Sequence, residues 1–308
     1  MIATLRWTSP SRPTLLQGFL AVAMARGWFA EEGVALAISA GASTADAVGA
    51  VARGEADLGM AAPLASCPAI ATQGAPIISI AQVAYRGFFE IASDPRSPLR
   101  TAADLQGRRI GVVSAGGSTG QQLDAIALAA GLDPSGVRKV VTGLGLDGLA
   151  AMRRGDVDGF FVFYETREML AEAGEALHYL AIDDIAPMPG GAILARRALV
   201  DDPARHAGLR GVLRACLRGL AHMRDPAVED EVLAAQPPAA VAHLPASAAP
   251  RVLRRIRVAL SPPEGCTPGA MDAAAWADAL DLMQRLRLLG HSPPPLDRVM
   301  TNAFLSPP

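Results

Sequence analysis

The chain has 308 residues, of which 51% are apolar, and its formal net charge at pH 7 is −2. This length suffices for two domains of ordinary size, and the apolar content excludes an intrinsically disordered chain. The near-neutral charge removes the main electrostatic reason to expect nucleic acid, so small molecules and other proteins remain as partners. The sequence has no apolar run of about 18 residues and therefore predicts no membrane span.

Strand and helix patterns alternate along the first 85 residues. Such alternation predicts βαβ units around a mainly parallel sheet. The predicted strands are 2–7 (strongest over 4–7), 34–39, 57–60 and 77–83, and the predicted helices are 13–25, 44–53 and 63–72.

A second series of the same kind begins at residue 109. Its predicted strands are 109–113, 138–142, 158–163 and 178–182, and its predicted helices are 118–130, 145–154 and 165–173. A strand at 192–195 then leads into a mostly helical tail, with helices at 203–223, 227–234, 248–260 and 271–289.

This order predicts a second lobe inserted into the first. We expect residues 1–85 to form the first segment of lobe 1, residues 86–188 to form lobe 2, and residues 189–308 to return to lobe 1 as its last strand and helical tail. The chain would then cross between lobes near 84–88 and 185–190, which is typical of a hinge around a cleft.

One motif occurs twice, about a hundred residues apart. Residues 50–60 are AVARGEADLGM and residues 151–160 are AMRRGDVDGF, so Arg-Gly-acid-x-Asp is repeated. Each copy is typical of a helix end, a glycine turn and a strand start. The repeat predicts two lobes on one α/β plan; chance recurrence of helix-Gly-strand junctions is the alternative. The repeated residues are Arg53, Gly54, Glu55 and Asp57, and Arg154, Gly155, Asp156 and Asp158.

The segment GVVSAGGSTGQQLDAIALAAGL, residues 111–132, combines a strand, a loop of small residues and a helix that begins at Ser118 and Thr119. Backbone amides, the helix dipole and two hydroxyls predict a site for a carboxylate, sulfonate or phosphate. The alternative is that Ser118 or Thr119 only caps the helix. The spacing of Gly116, Gly117 and Gly120 does not fit a dinucleotide fingerprint, and no P-loop lysine follows.

Aromatic residues are few, and several stand at predicted strand ends, where they would line a ligand pocket. Each of them also suits a core position. Glu165, at the start of a helix, is a candidate partner for an amine or amidine, or it favours the helix N-terminus. Arg12 and Arg86 are candidates for contact with a more highly charged anion. The aromatic residues are Trp7, Tyr85, Phe88, Phe89, Phe161, Phe163 and Tyr164.

Motifs for metal or redox chemistry do not occur in the sequence. HExxH and CxxC are missing, and the histidines have no ligand spacing, so we expect no metal and no cofactor. Cys67, Cys216 and Cys266 are expected to be buried or free thiols. A basic helix face is predicted to be solvated, with a partner contact as the alternative; its residues are Arg251, Arg254, Arg255 and Arg257.

Four segments resemble, in order and spacing, the periplasmic solute-binding proteins of ABC importers. They are RGWFAEEGVALAISAG, GEADLGMAAP, GRRIGVVSAGGSTGQQLDAIALAAGLDPSGVRKV and GDVDGFF. The resemblance covers about residues 2–225 and is strongest for the group serving thiamine pyrimidine precursors, alkanesulfonates, taurine and nitrate. It implies an α/β, two-lobed type II periplasmic-binding-protein fold with the ligand cleft at the hinge.

The resemblance also implies a function. We expect a solute-binding protein that captures a small anionic or zwitterionic ligand (a sulfonate, carboxylate or pyrimidine precursor) by hinge closure and presents it, as a monomer, to an ABC permease in the membrane. We expect a periplasmic location with the signal peptide absent from this sequence; a cytoplasmic ligand sensor is the alternative. By position, the implied ligand residues are Trp7, Thr8, Ser9, Ala62, Pro63, Leu64, Tyr85, Ser118, Thr119, Phe163, Tyr164 and Glu165.

An enzyme on the same scaffold, acting on a small organic acid or pyrimidine with Glu165 or an acidic neighbour as base, is the alternative function. A related branch of pyrimidine-synthesising enzymes requires a lysine near the pocket of the first lobe and a cysteine-rich iron segment. Here Lys139 is the single lysine and the cysteines are dispersed. The sequence therefore favours a binding protein over an enzyme.

Overall fold

The computed structural model describes residues 3–10, 12–115, 117–143 and 145–305. The chain divides into two compact units. Unit 1 contains Met1–Tyr85, Pro189–His243 and Ile256–Pro308, and unit 2 contains Arg86–Met188 and Leu244–Arg255. Unit 2 therefore includes residues 244–255, which the sequence alone assigns to the tail of the first lobe.

Each unit is built on a five-stranded sheet. The strands are β1 (Ala3–Ser9), β2 (Val34–Ala40), β3 (Leu58–Ala61), β4 (Ile77–Gln82), β5 (Phe89–Ser93), β6 (Arg109–Val112), β7 (Arg138–Val141), β8 (Gly159–Phe163), β9 (His178–Ala181) and β10 (Ala192–Arg196).

The sheet of unit 1 has the order β2-β1-β3-β10-β4. Strand β1 runs parallel to β2 and β3, whereas β10 is antiparallel to both β3 and β4. Every residue of β3 and β4 is buried, as expected for strands covered on both faces. The first strand begins at Ala3, and the predicted start at Ile2 lies outside the described residues.

The sheet of unit 2 has the order β7-β6-β8-β5-β9. Strand β6 runs parallel to β7 and β8, and β5 is antiparallel to β8 and β9. The sequence patterns do not predict strand β5, and they assign Phe88 and Phe89 to a ligand pocket instead. Phe89 instead pairs in register with Phe163 of β8.

Helices flank both sheets. Short 3-10 turns occur at Leu15–Gln17, Ala102–Leu105, Pro134–Gly136, Pro203–Arg205 and Pro226–Val228. In the described parts of the chain, no helix is both long and apolar enough to cross a membrane. The helices are α1 (Gly18–Ala25), α2 (Trp28–Glu31), α3 (Thr44–Ala52), α4 (Pro63–Gln73), α5 (Ser118–Ala129), α6 (Leu146–Arg154), α7 (Tyr164–Glu172), α8 (Arg197–Val200), α9 (His206–Arg224), α10 (Glu229–Ala234), α11 (Pro238–Val241), α12 (Ala249–Leu260), α13 (Ala273–Arg285) and α14 (Leu296–Val299).

The repeated motif forms a turn and an ion pair in unit 1. Gly54 ends the turn after α3 with a φ of +76°, in the left-handed region that favours glycine. Arg6 donates from its backbone and side chain to the Asp57 carboxylate, and it donates a further hydrogen bond of 2.8 Å to the Gly54 carbonyl. The junction from helix to strand is therefore tied to the first strand of the sheet.

Unit 2 repeats this arrangement residue for residue. Gly155 has a φ of +78°, and Arg109 donates to the Asp158 carboxylate and to the Gly155 carbonyl. Arg109 stands at the start of β6, as Arg6 stands in β1. Both units thus share one hydrogen-bond network, in which an arginine about 50 residues before the motif binds its aspartate and its glycine carbonyl. This supports the prediction that both lobes follow one α/β plan.

Of the basic face predicted on α12, Arg254 is exposed, whereas the other three arginines are paired with carboxylates. Arg251 and Arg255 both donate to Glu168 of α7, whose side chain is only 6% exposed. Arg257 is buried and donates to the Met223 carbonyl and the Glu229 carboxylate. Glu168 explains why residues 244–255 belong to unit 2, because it anchors the first half of α12 there.

Candidate functional site

The loop between β6 and α5 in unit 2 is the predicted anion site. Gly117 is the N-cap residue of α5, and it has no side chain that could accept a hydrogen bond from the first turn. The predicted capping role of Ser118 and Thr119 is therefore wrong. Gly116, named in the glycine spacing, lies outside the described residues.

Thr119 braces this loop. Its side chain is buried, and its Oγ1 accepts a 3.1 Å hydrogen bond from the Val113 amide. A Cβ at Gly120 would lie 2.0 Å from the Ala115 carbonyl oxygen, so only glycine lets the loop fold against the first turn. Ser118, in contrast, is exposed.

This geometry suits an anion of low charge. The first amides of a helix lack intrahelical acceptors, and the helix dipole favours negative charge there. Ser118 adds an exposed hydroxyl beside them. None of the described loop residues from 113 to 119 carries a charged side chain. A doubly charged ligand would therefore need positively charged side chains from outside this loop to neutralise it.

Apolar side chains are exposed at the same edge of the unit 2 sheet. Val113 follows β6, Val141 ends β7 and Leu146 begins α6; they are 42%, 64% and 57% exposed. Because β6 and β7 are parallel, their carboxyl ends lie on one edge of the sheet. These residues are not in the predicted site, although an apolar residue at or directly after a strand end is visible in the sequence.

An aromatic cluster lies at the end of β8 in unit 2. The ring centroids of Phe163 and Tyr164 lie 3.9 Å apart. The Phe88 ring packs edge-on against both, with centroid distances of 6.1 Å to Phe163 and 5.8 Å to Tyr164. The Tyr164 hydroxyl is buried without a hydrogen-bond partner among the described residues, and burial raises its pKa well above the usual value. Glu165 is buried beside it, whereas Phe161 is fully buried core.

In unit 1, the predicted residues at the end of β1 are deeply buried. Trp7, Thr8 and Ser9 are each 3% exposed or less. The indole of Trp7 packs edge-on against Phe19, and its Nε1 donates a 3.3 Å hydrogen bond to Ser9 Oγ. Trp7 therefore has a structural role in the core of unit 1.

Ala62, Pro63 and Leu64 follow β3, the neighbour of β1. Ala62 is the N-cap of α4 and Pro63 its first residue, the position that tolerates a missing N–H. Because β1 and β3 are parallel, the structure brings these residues to the same sheet edge as Ser9. Their side chains offer no polar group, so only backbone atoms of this segment could bind a polar ligand.

Tyr85 uses its polar groups within unit 1. Its hydroxyl accepts a 2.6 Å hydrogen bond from the Gly269 amide, and its own amide donates to the Ala259 carbonyl. Burial raises the pKa of this phenol. Arg12 of unit 1 and Arg86 of unit 2 are both exposed.

The described residues hold no group of three His, Cys, Asp or Glu side chains placed to bind a metal. The three cysteines are free thiols. Burial raises the pKa of Cys67 to about 12, which makes it a poor nucleophile. Lys139 forms a 2.5 Å ion pair with Asp124 of α5 in unit 2.

A family model described as NMT1/THI5 like matches residues 17–228, more than half of the chain. The chain belongs to the NMT1/THI5-like family. One curated relative, the 4-amino-5-hydroxymethyl-2-methylpyrimidine phosphate synthase of Schizosaccharomyces pombe (strain 972 / ATCC 24843), is 27% identical over 138 residues. The match covers 45% of this chain and 38% of the relative, so the chain matches less than half of that enzyme's length.

Solved structures place this NMT1/THI5-like protein in a known fold. The periplasmic aliphatic sulphonate binding protein SsuA from Escherichia coli has a TM-score of 0.74 and 19% identity, covering 96% of this chain and 91% of that one. The alkanesulfonate-binding protein SsuA from Xanthomonas axonopodis pv. citri, bound to MOPS, has a TM-score of 0.70 and 20% identity, covering 99% and 98%. The predicted periplasmic-binding-protein fold class is confirmed.

Proposed function

We propose that this protein is a solute-binding protein that captures a small organic anion or zwitterion and delivers it to an ABC permease. The uncapped start of α5 carries the proposal, because the N-cap residue Gly117 has no side chain to engage the first turn and Ser118 is exposed beside it. Family membership and the fold shared with sulfonate-binding proteins support it.

The surroundings of α5 favour a singly charged, amphipathic ligand. The loop supplies amides and a hydroxyl but no charged side chain, and Val113, Val141 and Leu146 offer apolar surface at the same edge. A sulfonate or monocarboxylate with an apolar group matches both features. A pyrimidine precursor would use the aromatic cluster of Phe88, Phe163 and Tyr164 instead.

The experiment is a thermal-shift screen of the purified protein against alkanesulfonates, aromatic carboxylates, aminopyrimidines and nitrate. A ligand at a hundredfold over its dissociation constant stabilises the native state by about 2.7 kcal/mol. Mass spectrometry of the compound released on denaturation then identifies what was bound. A sulfonate or carboxylate recovered unchanged supports the proposal, and no shift with any anion contradicts it.

An enzyme on this scaffold is the second candidate, favoured by the relationship to a pyrimidine phosphate synthase. It would act on a small organic acid or pyrimidine, with Glu165 as base. Against it, Lys139 is paired with Asp124 in unit 2 rather than placed in unit 1. Recovery of a chemically altered compound after incubation would favour the enzyme.

Location, permease and closure complete the proposal. We place the protein in the periplasm, like the sulphonate binding protein SsuA of Escherichia coli, and fractionation of the native cells tests this. Closure of the two units around the ligand stays a prediction; small-angle scattering with and without the bound anion measures it.

A further inference from the structure

Unit 1 contains a cavity that the proposed anion site does not use. It has a volume of about 640 Å³, within the range of small-molecule pockets. Helix α1, the end of β2 and the segment after α10 form its walls. The lining residues are Ser9, Pro13, Gln17, Leu20, Ala21, Met24, Ala25, Ile38, Ser39, Ala40, Ala235 and Pro237.

The lining is apolar and uncharged. None of these residues has an ionisable side chain. Met24 and Ile38 are 50% and 41% exposed, which is unusual for large apolar side chains in a unit with an extensive core. Covering them with an apolar molecule would remove this surface from water, which is the main driving force for binding in such a cavity.

One polar side chain in the cavity is available to a ligand. Gln17 is only 7% exposed, yet no described residue hydrogen-bonds its side-chain amide. The two serine hydroxyls are already engaged with Trp7, since Ser9 Oγ accepts from its indole and Ser39 Oγ donates to its carbonyl. The Gln17 amide offers both a donor and an acceptor, so a bound molecule with one hydroxyl or carbonyl would satisfy it.

We infer that unit 1 holds a second binding site, specific for an uncharged, mainly apolar small molecule that hydrogen-bonds Gln17. A sulfonate or carboxylate is excluded from it, because burying an anion among apolar groups without a counter-charge is costly. The ligand class thus differs from that of the anion site in unit 2, and the inference does not depend on the proposed function.

The test uses 1-octanol as the neutral probe and octanoate as its charged counterpart, titrated into the full-length protein by calorimetry. Ala21→Phe places a ring in the cavity, and Ala277→Phe makes the same change at an exposed position of α13 in the same unit. We expect 1-octanol to bind the wild type and Ala277→Phe alike, and Ala21→Phe at least tenfold more weakly. Octanoate should bind this cavity at least tenfold more weakly than 1-octanol.

Gln17→Leu keeps the volume but removes the amide, and it should weaken 1-octanol binding by about fivefold, the value of one neutral hydrogen bond. Equal 1-octanol binding by Ala21→Phe and the wild type, or no binding by the wild type, overturns the inference. So does a wild-type dimer that dissociates in Ala21→Phe on sedimentation, because the occupant would then be a second copy of the chain. If octanesulfonate raises the melting temperature of Ala21→Phe as much as that of the wild type, the anion site is intact in this variant. The two sites are then tested independently of each other.

Discussion

Ser118 and Thr119 are neighbours in the sequence, but their side chains face different surroundings. Thr119 is buried and accepts the Val113 amide, whereas Ser118 is exposed at the start of α5. One hydroxyl therefore maintains the loop, and the other is free to face solvent or a ligand.

Separate substitutions distinguish the two roles. Thr119→Ala leaves the Val113 amide without its acceptor and should lower the free energy of unfolding by about 1–2 kcal/mol. Ser118→Ala should leave this free energy unchanged but weaken binding of the anion by roughly tenfold, because a hydrogen bond to a charged group is lost. Urea denaturation and ligand titration measure the two effects, with exposed Ser97→Ala as control. A large loss of stability in Ser118→Ala would contradict this division.

Asp57 makes stability depend on pH. Burial acts to raise the pKa of its carboxyl, but the hydrogen bonds and charge of Arg6 outweigh burial and hold the pKa below the usual value. A carboxyl with a lowered pKa stabilises the native state above its unfolded-state pKa of about 4, and this contribution is lost as pH falls through the folded-state pKa.

We therefore expect Asp57→Asn to lower the free energy of unfolding at neutral pH by roughly 1 kcal/mol, since Arg6 is half exposed. The difference between wild type and variant should shrink as the pH falls below about 4. Urea denaturation across this range measures it, with exposed Asp230→Asn as control. A difference that grows towards acid would show that the pKa is raised.

Residue patterns predicted the repeated motif but not its partners. Arg53 to Asp57 and Arg154 to Asp158 are visible as a repeat, because both copies need a left-handed glycine and a strand start. Arg6 and Arg109 lie about 50 residues earlier, and no local spacing connects them to the motif. Likewise, nothing in the local sequence distinguishes Thr119, which braces the loop, from Ser118, which is exposed.

Helices α1 and α9 approach closely because of one glycine. A Cβ at Gly219 would lie 2.3 Å from the Phe19 carbonyl oxygen, whereas a Cβ at Gly208 of the same helix would meet nothing within 4 Å. Gly219→Ala should therefore lower the free energy of unfolding by about 1–3 kcal/mol through overpacking. Gly208→Ala should raise it by about 0.5–1 kcal/mol through helix propensity. Urea denaturation measures the free energy of unfolding of both variants. Equal changes in this free energy would contradict the close contact between Gly219 and α1.

Helices α7 and α12 are joined within unit 2 by Glu168. Burial acts to raise the pKa of this carboxyl, but Arg255 and Arg251 outweigh burial and lower it. Glu168→Gln should cost about 1–3 kcal/mol of stability, since two guanidinium groups lose their charged partner. Glu172→Gln is the matched control, because Glu172 pairs with Arg251 at a more exposed position and should cost less. Equal losses in urea denaturation would show that burial of Glu168 is unimportant.

Element positions followed from periodicity where strands and helices alternate. Predicted and observed strands agree to within a few residues from β6 to β9, because apolar runs and glycine turns mark both ends. Strand β5 was missed because its antiparallel pairing with β8 and β9 depends on residues about 70 to 90 positions away. The attachment of α12 to α7 depends on contacts about 80 residues apart, and hydropathy contains no information on them.

At the scale of the whole molecule, Gln82 lies beside the points where the chain first leaves unit 1, after Tyr85, and first returns to it, at Pro189. Its buried amide donates to the carbonyls of Ala84, Gly190 and Gly191, and its Oε1 accepts from the Trp276 indole at 3.1 Å. One side chain within unit 1 thus holds the chain beside two of the four points where it passes between the units.

Gln82→Leu should lower the free energy of unfolding by about 2–3 kcal/mol, because buried carbonyls and an indole N–H lose their partners. Gln73→Leu, at the exposed end of α4, is the matched control and should change stability by less than about 0.5 kcal/mol. Thermal and urea unfolding of both variants test this. Similar stability of the two would show that Gln82 is replaceable.

The position of β10 governs when unit 1 can fold on the ribosome. This strand lies between β3 and β4, but it follows all five strands of unit 2 in the chain. Until residues 192–196 have been synthesised, β4 has no neighbour in its sheet, and β3 exposes an unpaired edge. The sheet of unit 2 can form earlier, while nascent unit 1 waits with open strand edges that favour aggregation. Chaperone protection during translation is thus needed most between the emergence of β4 and that of β10.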